Sequence, residues 1–322
     1  MNKNTKIWFI VASSLILIGL IIFGGVMSMF KWDFTKLSFA KYETNYHIIK
    51  EEYQNISIEV STADIEFIPS KTHETKVECY ELSNVRHSVT VYGRTLKIEE
   101  VDSRKWFEHI GINFSSPKIK VYLPEGSFGN LEIKSFTSDI ILPEGFGYES
   151  IDISATTGSI TCYSVSNGPI RLHATTGDIK LENSCASSIE VSVSTGKVTV
   201  QNVECDGELN VKISTGKTKI GDVMCGTLYS DGSTGDLIMY NVISVGKLSI
   251  IRSTGDVKFE NCDAAEVYME TDTGDVTGNF LSDKIFLTNT ATGKTEVPKS
   301  ITGGRCEVNT DTGDIKISIK QK

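Results

Sequence analysis

The amino-acid sequence predicts an all-β fold, a parallel β-solenoid (β-helix) built from coils of about 19–20 residues and preceded by one N-terminal transmembrane helix. Three observations carry that reading. The dipeptide Thr-Gly recurs with its glycine at Gly158, Gly177, Gly196, Gly216, Gly235, Gly255, Gly274, Gly293 and Gly313, always 19 or 20 residues apart. Apolar and polar residues alternate on both sides of each glycine, the period of a strand with one buried face. Finally, Ile7 to Phe30 is a run of 24 residues without a charge, where about 20 suffice to cross a bilayer core.

The apolar run is read as a retained anchor. Its length exceeds the apolar core of a cleaved signal, no clear small-x-small exit follows it, and no cysteine follows for lipid attachment. Lys3, Lys6 and the free amine flank one side and Lys31, Lys36 and Lys41 the other, so the positive-inside count is close to a tie. A short N-terminal stub stays in the cytoplasm, which places residues 31–322 outside the cell membrane. The expected division is 1–30 for stub and anchor, 31–50 for a linker, 51–130 for an N-terminal β-region capping the solenoid and 131–322 for the solenoid repeats.

With each Thr-Gly glycine taken as position zero, the residue seven before it is apolar in all nine copies: Ile151, Ile170, Ile189, Leu209, Leu228, Leu248, Val267, Phe286 and Cys306. Position minus five repeats the pattern, with Ile153, Leu172, Val191, Val211, Ile250, Met269 and Val308. After the glycine, apolar residues fall at plus two, as in Ile160 and Val198, and at plus four, as in Leu181 and Phe259. Inward positions are odd before the glycine and even after it, so one residue is inserted into the alternation and each Thr-Gly marks a corner. By the same parity the threonines from Thr157 to Thr312 should point inward and bond at the corner. Asn183, Asn202, Asp222, Asn241 and Asn261, all at plus six, mark the next corner, because Asn and Asp tolerate the left-handed region.

A unit of this length cannot bury its own apolar face, so neighbouring coils must stack at about 4.8 Å. Two earlier segments fit the template, Ile56-Ser57-Ile58 with Ile65 and Leu131-Glu132-Ile133 with Ile140. The solenoid therefore begins early, is interrupted by strand-like runs between them, and is expected to end at Ile317, Ile319 and the polar Lys320-Gln321-Lys322. Of the seven cysteines, Cys162, Cys185, Cys205, Cys225, Cys262 and Cys306 fall at stacked core positions, where a free thiol serves as a small hydrophobe. Cys205 and Cys225, at equivalent sites, are close enough for a disulfide, although unpaired thiols are the preferred reading.

Taken together, the anchor, Asn55-Ile-Ser-Ile-Glu-Val-Ser-Thr-Ala-Asp-Ile-Glu-Phe-Ile-Pro69, Lys118-Ile-Lys-Val-Tyr-Leu-Pro-Glu-Gly126 and the serial Thr-Gly-Asp units resemble the putative-adhesin family of bacterial envelope proteins, a domain of unknown function. The resemblance covers about residues 45–322. It implies a β-solenoid at the cell envelope, in a family with members near envelope-stress systems, and it supplies no catalytic residues.

The chemistry-bearing motifs dissolve into the repeat. Asp272-Thr273-Gly274 and Asp311-Thr312-Gly313 spell the aspartic-protease triplet, yet Thr175 and Ser233 occupy the same outward corner position as those aspartates. Asp178, Asp236, Asp256, Asp275 and Asp314 follow corner glycines and could stack as Ca²⁺ ligands. Lys197, Lys217 and Lys294 interleave with them, which favours in-line charge compensation instead. The five histidines are scattered with no metal-like spacing. No catalytic, cofactor-binding or metal residue is therefore assigned. The net charge of -9 leaves no basic face for nucleic acid.

The candidate interaction patch is Tyr229, Ile251, Tyr268 and Leu287, expected on one face of four successive coils, with Ile238 and Tyr240 on the adjoining side. The expected function is a non-enzymatic cell-envelope surface protein, an adhesin or interaction module whose partners are the membrane and a protein or glycan ligand at the envelope. The alternatives are a membrane-tethered scaffold or sensor accessory in envelope-stress signalling and, further off, a β-helical polysaccharide-active enzyme.

Overall fold

A computed structural model describes residues 2–33, 41–72, 74–105 and 116–320. Residues 34–40 of the expected linker, Lys36 among them, and the terminal Gln321 and Lys322 lie outside the described residues. The helix Lys3–Met29 contains the 25-residue stretch Thr5–Met29, whose most apolar 18 residues have a mean hydropathy of 2.6, long and apolar enough to cross a membrane. The most apolar part of that stretch is not buried against the rest of the chain.

The remainder is a parallel β-solenoid. Equivalent residues of successive coils pair in register, as in Ile151↔Ile170, Ile170↔Ile189, Ile189↔Leu209 and Leu209↔Leu228 on the side before the glycine. On the side after it, Ile160↔Ile179, Ile179↔Val198 and Leu237↔Val257 do the same. These residues are all buried in one continuous core, each side chain stabilising the stack by about 1.5–3 kcal/mol. The core also holds a charge. Arg252 occupies an inward position, donates to the Ser230 hydroxyl and the Ile251 carbonyl at 2.8 Å each, and is pushed down to about 10 by burial.

The corners follow the sequence with one correction. The threonines before the glycines, such as Thr157, Thr176 and Thr215, are exposed and not inward. The alternation breaks one residue earlier than expected, since Ala155↔Ala174 and Thr157↔Thr176 pair while the residue between them does not. What the threonine contributes is its carbonyl, which accepts the glycine N–H of the preceding coil, as in Gly158 N–H to Thr176 O at 2.9 Å. The plus-six corner is as expected: Asn183, Asn202, Asp222, Asn241 and Asn261 all have φ between 49° and 53°. Their side chains also stack, Asn202 donating to Asn183 at 2.8 Å, Asn241 to Asp222 at 2.7 Å and Asn261 to Asn241 at 3.0 Å.

The aspartates after the glycines form a second ladder. An oxygen of Asp178 accepts the Lys197 N–H at 2.8 Å, Asp256 that of Asp275 at 3.1 Å and Asp275 that of Asp314 at 2.8 Å. These carboxylates are thus spent on the next coil's backbone. The Asp275 N–H, joined by Lys258, holds Asp256 below the ordinary carboxylate range. A folded pKa below the unfolded value of about 3.9 gives stabilisation that is present above that value and lost as pH falls through the folded one. Melting temperature should therefore hold from neutral pH to about pH 4 and fall below it, with a shallower acid fall in Asp256→Asn.

Both ends depart from chain order. At the N-terminal end, Asn55–Val60 stacks on Gly126–Thr137 (Ile56↔Leu131, Ile58↔Ile133), and Thr95–Asp102 and Lys118–Pro124 form a further layer outside it. Antiparallel strands Val85–Tyr92, Thr75–Leu82 and Tyr42–Ile49 then cover that layer. At the other end, the last coil in sequence is not the last in space. Gly304–Thr312 is inserted between Val257–Thr273 and Lys284–Thr292, and Ile315–Ile319 between Val276–Phe280 and Thr295–Glu296. Ile315 and Ile317 are buried within the stack and Ile319 is half-buried beside Phe280, while Lys284–Thr292 and Thr295–Glu296 lie outside the last strands, correcting the expectation that those strands form the tip.

Candidate functional site

The register decides where each expected patch residue stands. Tyr229 pairs with Ser249, Ser249 with Tyr268, Tyr268 with Glu307, and Glu307 with Leu287. Tyr229 and Tyr268 thus flank Ser249, a buried small residue. Leu287 is set apart from Tyr268 by the inserted coil, which corrects the expectation of four successive coils. Ile251 lies in the adjoining column between Asp231 and Glu270. Tyr229, Ile251 and Leu287 are 37%, 42% and 48% exposed, while Tyr268 is half-buried. The Tyr268 hydroxyl donates to Glu270, and that carboxylate, with burial adding, pushes the phenol up to about 12. The ring stays neutral, with the Lys247 ammonium 5.6 Å from its centroid.

Ile238 and Tyr240, on the adjoining side, line an open groove of about 870 Å³. Its floor is Thr277-Gly278-Asn279, short residues between Lys258 and Glu260 on one side and Lys316 and Glu296 on the other. Gly278 takes an inward position that other coils fill with Leu181 or Val200. A Cβ there would lie 2.5 Å from Cγ of Phe259, whose ring instead packs 4.6 Å from that of Phe280. Tyr240 lies flat over Gly221, its hydroxyl donating to Gln201 and its face 5.1 Å from the Lys219 ammonium. The groove therefore combines an aromatic edge, an aliphatic wall and charged groups of both signs.

The cysteines divide. All seven are free, and Cys205 and Cys225 are register neighbours. Burial pushes the thiols of Cys79, Cys162, Cys225 and Cys306 up to about 12, so with no ion bound they act as small core hydrophobes. Cys185 is exposed, correcting its expected core position, because it falls between the inward Ser184 and Ala186. Sequence reading also missed a polar cluster in the N-terminal cap, where Cys79, Glu81 and His87 meet. Its signal was the alternation Cys79-x-Glu81 just before a two-residue turn.

Structural comparison finds relatives of low identity. A putative adhesin from Bacteroides fragilis aligns with a TM-score of 0.38 and 13% identity over 87% of this chain and 97% of its own. A putative cell adhesion protein from Clostridium sporogenes gives 0.24 and 11% over 87% and 100%. A putative lipid binding protein from Parabacteroides distasonis gives 0.25 and 16% over 87% and 97%. At these scores nothing about ligand or partner transfers. Comparison with curated proteins finds no match. The family model described as Toastrack DUF4097 matches residues 53–220 and again 205–322, and the chain accordingly belongs to the Toastrack DUF4097 family.

Proposed function

We propose that this chain is a non-enzymatic surface protein of the bacterial cell envelope, anchored by Lys3–Met29, with an extracytoplasmic solenoid that acts as an adhesion or interaction module. The observation supporting it is the column Tyr229, Ser249, Tyr268, two aromatic side chains held on a rigid ladder on either side of a small residue. Strands two apart in such a ladder are separated by about 9.6 Å, and because Ser249 between them is buried, a sugar ring would stack on the exposed faces of the phenols and not in a slot between them. Tyrosine offers a flat apolar body and a polar tip. A ligand that alternates apolar faces with hydroxyls, as a glycan does, matches that pairing. The groove around Ile238 and Tyr240 adds the charges and the Asn279 amide that would orient such a chain.

Cells displaying the full-length protein should bind envelope or wall glycan fractions, and the double variant Tyr229→Ser/Tyr268→Ser should bind at least about tenfold more weakly, a loss of about 1.4 kcal/mol. Equal binding by variant and wild type would remove this face from consideration. Binding lost when the fraction is treated with protease, and kept after glycan digestion, would point to a protein partner instead.

A further inference from the structure

The N-terminal cap holds a set of metal-binding side chains that the interaction surface does not use. Thr75–Leu82 and Val85–Tyr92 are joined by the turn Ser83-Asn84 and share only the pair Leu82↔Val85. Beyond it they diverge, Thr75–Leu82 onto Lys118–Pro124 and Val85–Tyr92 onto Thr95–Asp102. Their inner faces meet where the two sides of the solenoid close. Cys79 and Glu81 come from one strand and His87 from the other, all three buried, His87 being 4% exposed. One donor atom of each lies within 4.8 Å of the others, against about 3.3–3.8 Å for the edge of a tetrahedron built on zinc–nitrogen and zinc–sulfur bonds.

Glu81 is fully engaged. Asn45 donates to its Oε1 at 2.6 Å, and its Oε2 accepts from the His87 backbone at 2.6 Å and faces His87 Nδ1 at 2.7 Å. An ionised carboxylate only accepts, so the Nδ1 carries the proton. With Nδ1 facing Glu81, Nε2 is the ring nitrogen left for a metal, and it is buried without a hydrogen-bond partner among the described residues. A carboxylate on one imidazole nitrogen with the other left bare is how metal-binding histidines are oriented. A second buried, unpartnered Nε2 belongs to His47. In the ladder Asn45 pairs with Cys79 and His47 with Val77. His47 therefore shares a face with Asn45 and stands diagonal to Cys79, outside the close group of Cys79, Glu81 and His87.

From this juxtaposition we infer that the cap binds one divalent transition-metal ion, with Cys79 and His87 as its protein ligands, Glu81 as the carboxylate that orients His87, and water in the remaining positions. A sulfur and an imidazole suit zinc and disfavour calcium or magnesium, which take oxygen. Binding exchanges the Cys79 thiol proton for the ion and releases that proton to solvent. The ion would tie together the two strands that close the end of the stack.

The test uses full-length protein in detergent, stripped with a chelator, in a Cys185→Ser background that removes the exposed thiol. Titrated Co²⁺ should give a thiolate-to-cobalt charge-transfer band that saturates at one equivalent and is bleached by Zn²⁺. Cys79→Ser should abolish the band and Cys306→Ser should keep it. Glu81→Gln, which keeps the side chain's shape and whose fold is checked by circular dichroism, should lower affinity about 10–100-fold. No band under excess Co²⁺, a band surviving in Cys79→Ser, or unchanged affinity in Glu81→Gln would each overturn the inference.

Discussion

Gly216→Ala should cost on the order of 4–5 kcal/mol or prevent folding, at the extreme of single-substitution effects. A Cβ at this corner would lie 1.7 Å from the carbonyl oxygen of Gly196 and 3.3 Å from Cδ1 of Ile213, at a φ of +140°. The oxygen cannot withdraw. The Gly216 N–H donates to Thr234 O at 2.8 Å and the Gly196 N–H to Thr215 O at 3.0 Å, so backbone on both sides fixes the spacing. Stacked coils touch only their neighbours, and a wedge here would separate the repeat into two blocks. Gly93→Ala is the control: its φ is +57° and a Cβ would meet nothing within 4 Å, leaving conformational strain of about 1–2 kcal/mol. Denaturant unfolding of both variants separates the two effects. A cost at Gly216 no larger than at Gly93 would mean that the coils are not in contact at this corner.

The coil itself was legible because every copy solves the same packing problem. Ile151, Ile170 and Ile189 face one core, and period-two alternation reports facing directly. Asn183 and its equivalents were legible for a related reason, since left-handed backbone selects a short list of residues. The order of coils was not legible. Cys306 and Phe286 are interchangeable as inward residues, and alternation is identical whichever coil stacks on Val267. That ambiguity put Leu287 beside Tyr268 and Ile319 at the tip. The threonine orientation was misread because parity gives the number of inserted residues and not their place. In the cap no repeat guides the eye, and His87 reaches Cys79 and Glu81 only because two strands part after Leu82.

Deleting residues 303–322 should cost more than one terminal layer. In a solenoid stacked in chain order, that cut would leave Lys284–Thr292 seated on the coil before it. Here it removes an interior layer: Val267↔Cys306 and Cys306↔Phe286 vanish together, as do Val276↔Ile315 and the pairing of Thr295 with Ile315. Cys306, Val308, Ile315 and Ile317, all buried, leave the core, and each of the larger three accounts for about 1.5–3 kcal/mol. Among the described residues Lys284–Thr292 pairs only with the deleted strand, so its amide protection should fall to that of an unstructured segment. The coils before Val257 should stay protected, because each still rests on its own neighbours. Hydrogen exchange on the truncated and full-length chains reads both regions at once. Retained protection across Lys284–Thr292 would mean that this coil docks directly on Val257–Thr273, and the inserted order of the last two coils would then be wrong.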